Sequence, residues 1–129
     1  MTIIEQLARF LAARLRLPFE TGSEAAVFFG YMQDFPVKAV GVYANGLRAP
    51  GDPEGTRVQV IIRSDQDGGW PLDMAARITE LLDEQRDLLF VPGGDYVSRV
   101  ATERGFEFSG IADNGTQLYA ADFTIYHCG

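Results

Sequence analysis

The run "FEFSGIADNGTQLYAADFTIYH", Phe106 to His127, limits the fold more than any other stretch of this chain. Asn114-Gly115 lies between two β-rich segments, and Asn-Gly readily supplies the two positive φ values of a tight hairpin turn. In the second arm Tyr119, Ala121, Phe123 and Ile125 alternate with Leu118, Ala120, Asp122 and Thr124. That period of two marks a strand with distinct faces. The segment "YVSRVAT", from Tyr96, is a further β-rich run ahead of the hairpin. Residues 96–127 therefore read as a two- or three-stranded antiparallel unit.

Upstream, the signals mix helix and strand. Thr2 with Glu5 three residues later is a capping-box pattern, and Ile3, Ile4, Leu7, Phe10, Leu11 and Leu15 recur at helical spacing. Pro18 limits that helix, because the residue before proline is pushed out of helical geometry. "AAVFFGYM" and "VKAVGVYA" are strand candidates around the turn-like "QDFP". In the second of them neither alternating face is strongly polar, which predicts a strand covered on both sides. Val58, Val60 and Ile62 mark a strand over Arg57–Ser64, with Gln59, Ile61 and Arg63 opposite. A second helix over Pro71–Asp83 follows, with Asp73 expected in its first turn and Met74, Ile78, Leu81 and Leu82 as its buried stripe. Between the strands, Asn45–Gly55 holds three glycines and two prolines, so it is a long connection. Two helices with hairpin-joined strands give an α+β fold: an antiparallel or mixed β-sheet packed with two helices. At 129 residues, a single domain over 1–129 accounts for the whole sequence.

Charge and composition exclude several functions. The net charge is −7, and ten of the eleven basic residues are arginine, Lys38 being the lysine. No basic stripe is available to displace counterions from a duplex; Arg9, Arg14 and Arg16 read as the polar side of the first helix. The single cysteine, Cys128, has no partner for an internal disulfide. The first residues lack a signal-peptide pattern, and no segment approaches the ~20 apolar residues of a membrane helix. The expectation is a soluble protein made in a cytoplasm.

Candidate chemistry fails test by test. "SDQDGGWPLD" has the strand–loop–helix setting of a phosphate loop but no lysine, and Asp65, Asp67 and Asp73 would repel phosphate. A calcium loop from Asp65 would need ligands at positions occupied by Gly69 and Ala76. His127 and Cys128 are the lone members of their types, too few for a structural zinc site within one subunit. Adjacent strand residues also point to opposite faces, so the imidazole is badly placed to activate the thiol. Asp83, Glu84 and Asp87 lie on a solvated helix surface without an apolar pocket to raise a carboxyl pKa. The sequence predicts no catalysis, no cofactor and no resident metal.

Three patterns in order carry a family resemblance. "FFGYMQDFPVKAVGVYANG" places Gly30 and Pro36 ahead of an apolar strand that ends in Tyr43 and a glycine turn. "RVQVIIRSD" is followed after a short spacer by "MAARITELLD", and "FEFSGIADNGTQLYAADFTIY" closes the set. Together, from about Phe28 to Tyr126, they resemble the small minor capsid or tail-terminator proteins of long-tailed bacteriophages and prophages. That family often has Asn-Phe where this chain has Asp122-Phe123, and the "RAPGDPEG" loop is particular to this sequence. The resemblance implies a homo-oligomeric ring, usually a hexamer, at the head-proximal end of the tail tube. Such a ring ends tube polymerisation and meets the head-completion or connector protein, while DNA passes through it without sequence-specific binding. It implies a virion protein of the head–tail junction, assembled in the host cytoplasm. Another head–tail connector or baseplate component is an alternative, as is a small α+β ligand-binding domain. Under the leading reading, Asn45–Gly55, with Arg48, Asp52 and Glu54, is a candidate arm toward a neighbouring subunit or the tube. Arg63 is a candidate for pairing with an acidic neighbour across subunits, or equally a snorkelling surface residue.

Overall fold

A computed structural model describes residues 1–45, 55–65, 68–112 and 115–128. Helix α1 (Ile3–Leu15) opens as the sequence predicts: the Thr2 hydroxyl accepts the Glu5 backbone N–H at 3.2 Å. The reciprocal half of the capping box does not form, because the Glu5 carboxylate accepts from Arg9 at 2.9 Å instead. The helix stops before proline can influence it. Arg16 turns left-handed (φ 58°), and its N–H reaches back to the carbonyls of Ala12 and Ala13.

Strands β1 (Ala25–Phe29) and β2 (Lys38–Ala44) run parallel, from Ala25↔Lys38 to Phe29↔Val42. "QDFP" is thus part of a crossover that returns to the same end of the sheet, not a hairpin turn. Its polar, turn-prone residues fit either connection, so local sequence does not separate the two. Gly30, at φ +77°, starts the reversal in a conformation open to glycine at little cost. Strand β2 is covered on both sides as predicted. Val40 and Val42 face the helices, while Ala39 packs with Ala26, Phe28 and Met32 on the other side. A Cβ at Gly41 would lie 2.7 Å from Met32 Cγ and 2.8 Å from Tyr43 Cε2, so a bare backbone lets the crossover lie flat on the strand.

Strand β3 (Gly55–Ser64) pairs antiparallel with β2 and with the final strand. Helix α2 (Gly69–Leu82) begins two residues ahead of Pro71. Proline is tolerated there because the first four helical N–H groups have no intrahelical acceptor. Asp73 therefore lies beyond the first turn, and its carboxylate approaches Arg77, one turn on, at 3.9 Å. Met74, Ile78 and Leu82 form the buried stripe, with Leu81 half-buried beside them.

The three-residue strand β4 (Arg86–Leu88) carries no alternation that a sequence reading detects. Strand β5 (Tyr96–Ile111) joins the two segments that the sequence separates at Gly105 into one 16-residue strand. Register shifts along its pairing with β6 (Gln117–Cys128) absorb the break. The sheet order is β1-β2-β3-β6-β5-β4, with the β1–β2 pair parallel and the others antiparallel. The α+β expectation, with a mixed sheet and two helices, holds.

Both helices pack on one face of this sheet. Leu7, Leu11 and Leu15 of α1 and the α2 stripe meet Val40, Val42, Val58, Val60, Ile62, Ala121, Phe123 and Ile125. Each large side chain withdrawn from water there contributes about 1.5–3 kcal/mol. The opposite face of β3, β6 and β5 has no helix among the described residues and carries Arg57, Gln59, Arg104, Glu107 and Asp122.

Candidate functional site

One polar cluster links four elements. Asp95, just before β5, brings its carboxylate Oδ2 within 2.7 Å of His127 Nδ1 on β6. The other ring nitrogen, Nε2, is 2.7 Å from the Thr56 hydroxyl on β3. Gln6 of α1, 2% exposed, donates its side-chain amide to Asp95 Oδ1 at 3.1 Å and accepts the Asp95 backbone N–H at 2.9 Å. The same amide also donates to the Met1 carbonyl at 3.0 Å. The hydrogen bonds from Gln6 and then His127 pull the Asp95 carboxyl below the usual carboxylate value, against the opposing effect of burial. Gly94 leaves room for this arrangement: a Cβ there would lie 2.6 Å from Gln6 Oε1.

Thr56, His127 and Asp95 have the connectivity of a nucleophile, base and orienting acid. Their contacts tie the group to structural elements. Five surface depressions formed by described residues are lined by none of the three. The second carboxylate oxygen of Asp95 is held by Gln6. The cluster acts as a clasp that fastens α1 and the entry to β5 onto the middle of the sheet. Sequence reading places His127 at the end of the sheet but misses its partners, which lie 32 and 71 residues away. Cys128 is exposed, and no group of three or more His, Cys, Asp or Glu residues is gathered for a metal among the described residues.

Of the interface candidates, Arg48, Asp52 and Glu54 lie outside the described residues. Arg63 is placed within the fold. Its Nε donates to the Val37 carbonyl at 2.9 Å, and its Nη2 donates to the carbonyls of Pro36, at 2.8 Å, and Gln33. Burial lowers the guanidinium pKa, while Asp34 and Tyr43 oppose that shift. Arg63 thus pins the β1–β2 crossover against the sheet and leaves Phe35, 65% exposed, at the surface of the pinned segment.

Two open surfaces lie among the described residues. The uncovered sheet face is a polar network: Asn45 donates to Asp122 at 3.1 Å, Arg104 approaches Asp122 at 3.9 Å, and Thr124 donates to Glu103 at 2.9 Å. On the helix side, Phe10, Arg14, Arg77, Glu80, Leu81, Gln85, Leu88 and Leu89 line an open groove of about 470 Å³. Surfaces of this kind suit docking to protein better than enclosing a small molecule.

A sequence model of the family described as bacteriophage tail terminator protein matches residues 10–126, nearly the whole chain. The chain belongs to the bacteriophage tail terminator family. No match was found among curated proteins. Family membership makes this a structural tail protein of the virion. It agrees with a site dominated by clasps and open polar faces. No helix among the described residues is long and apolar enough to cross a membrane.

Proposed function

We propose that this tail terminator assembles as a closed ring, a hexamer in the arrangement the resemblance implies, at the head-proximal end of the tail tube. One face of the ring matches the last tube layer and the other does not. Tube growth therefore stops, and the second face receives the head's connector. The observation that carries this reading is the family match across 10–126, joined to a fold whose sheet keeps one broad face free of helices. A ring arises when one patch of a subunit meets a different patch of the next and the rotation closes. The net charge of −7 suits a channel through which DNA slides without being held. Arg48, Asp52 and Glu54, outside the described residues, are candidates for contact with a neighbour or the tube, and Arg63 contributes by holding the segment that presents Phe35. Assembly takes place in the host cytoplasm.

The test is to label the chain on intact virions with an antibody–gold conjugate. Gold at the head–tail junction supports the reading. Gold at the distal tip, or along the tube, would transfer the chain to a baseplate or tube role.

A further inference from the structure

Strand β4 is held less firmly than the rest of the sheet, and its own residues show why. It meets β5 at two ladder positions, Arg86↔Arg99 and Leu88↔Val97. Between them Asp87 takes φ 55°, in the left-handed region and outside the range of extended strands. Glu84, which carries the chain out of α2, has φ 52° at the place after the cap where helices commonly put glycine. The Arg86↔Arg99 pair also sets two like charges directly opposite each other, which is destabilising. Arg99 pairs with Glu84 at 3.2 Å, and this offsets part of the repulsion. The remaining polar ties are Thr102 to Asp83, at 2.6 Å, and the Tyr96 hydroxyl to the Asp87 carboxylate. All of these ties lie at the exposed surface, where such pairs contribute little. Leu88 adds a half-buried contact with the core. By contrast, β3 and β6 pair without a break from Gly55↔Tyr126 to Ser64↔Gln117.

We propose that β4 is a releasable cap on the edge of the sheet, which detaches from β5 as a unit while the helices and the other strands stay folded. The closed cap covers the start of β5 as far as Val100, whose N–H donates to the Gln85 carbonyl at 2.8 Å. Beyond that point no other strand pairs with β5 on this side among the described residues. Release therefore extends the free edge of β5 back to Tyr96. An unpaired strand edge is a template for a strand of another chain, and the closed cap shields this length of it. The device is a property of the fold and does not depend on the ring reading.

The test is amide exchange on the full chain, read residue by residue by NMR. The Val100 amide should exchange about a hundredfold faster than amides of the β3–β6 ladder, because release of β4 alone exposes it. Asp87→Ala and Asp87→Gly both lose the tie to Tyr96, but only glycine relieves the left-handed backbone. Val100 should therefore exchange about fivefold more slowly in the glycine variant than in the alanine variant. A third arm locks the cap with Arg86→Cys and Arg99→Cys in a Cys128→Ser background. Residues directly opposite in a ladder have Cα atoms about 4.5–5.5 Å apart, within the span of a disulfide. Oxidation should slow Val100 exchange by about tenfold or more, and reduction should restore it. Val100 exchanging in step with the β3–β6 ladder would make the opening global and overturn the cap. Equal exchange in the glycine and alanine variants, a pair of cysteines that does not cross-link, or exchange unaffected by the lock overturns it as well.

Discussion

At the scale of single residues, this protein spends its buried polarity on clasps. Asp95 accepts from Gln6 and His127 at once, so Asp95→Ala strands two donors in a part-buried setting. The expected loss is about 1–3 kcal/mol at pH 7, read as a lower midpoint in urea unfolding. The same carboxylate gives a pH signature. Its folded pKa is depressed, so its contribution is complete above the unfolded value and disappears as pH falls through the folded one. The stability gap between wild type and Asp95→Ala should therefore be constant near neutrality and close below about pH 4. A gap that instead closed between pH 6 and 8 would assign the effect to another group. Gly94→Ala tests the clasp without touching its polar atoms. The added methyl meets Gln6 Oε1 at 2.6 Å and Val91 Cγ2 at 2.8 Å, and a comparable loss should follow on thermal unfolding, less than additive with that of Gln6→Ala because one of the two clashes is shared. Arg63→Ala frees three carbonyls of the β1–β2 crossover. Amide exchange over residues 30–37 should accelerate by more than tenfold, for a local cost of about 2 kcal/mol. Exchange unchanged in that segment would show that Arg63 does not hold it.

At the scale of elements, the sequence is read well where a signal is local. The Thr2 cap, the α1 and α2 stripes and the Asn114-Gly115 hairpin depend on residues a few positions apart, and the structure has the helices and the hairpin-linked pair where these place them. Thr2→Ala should cost about 1 kcal/mol, and Leu11→Ala, in the fully buried stripe, about 2–5 kcal/mol. Both are measured by chemical denaturation, and similar losses for the two would contradict the burial assigned to Leu11. The features that the sequence leaves open have a common cause. The parallel pairing of β1 with β2 is decided by where the crossover lies, and a carbonyl clamp from Arg63 on another strand holds it there. Strand β4 has three residues and exists through pairing with β5. Strand β5 is continuous because bulges accommodate Gly105, which a period-two reading takes as a break. The His127 clasp was illegible for the same reason: its members are brought together by topology, not by spacing. Of the interface candidates, only Arg63 lies among the described residues. Arg63 stands out in the sequence as a charged residue on an apolar strand, but its carbonyl partners at 33, 36 and 37 are set by the crossover and not by spacing.

At the scale of the whole molecule, the fold separates two tasks. One face of the sheet is consumed by the two helices and makes the core. The other face of β3, β6 and β5 carries polar and charged residues and, among the described residues, no helix. Family membership fixes the setting as the phage tail, and the proposed ring gives that setting a mechanism: a layer whose two faces differ, placed last. The most direct measurement is the length distribution of tails made without this chain, imaged by negative-stain electron microscopy and compared with tails from a complemented control. The account predicts tails of uncontrolled, often excessive length that carry no heads, with both defects reversed when the intact chain is supplied. Tails of normal length joined to heads in its absence would contradict it.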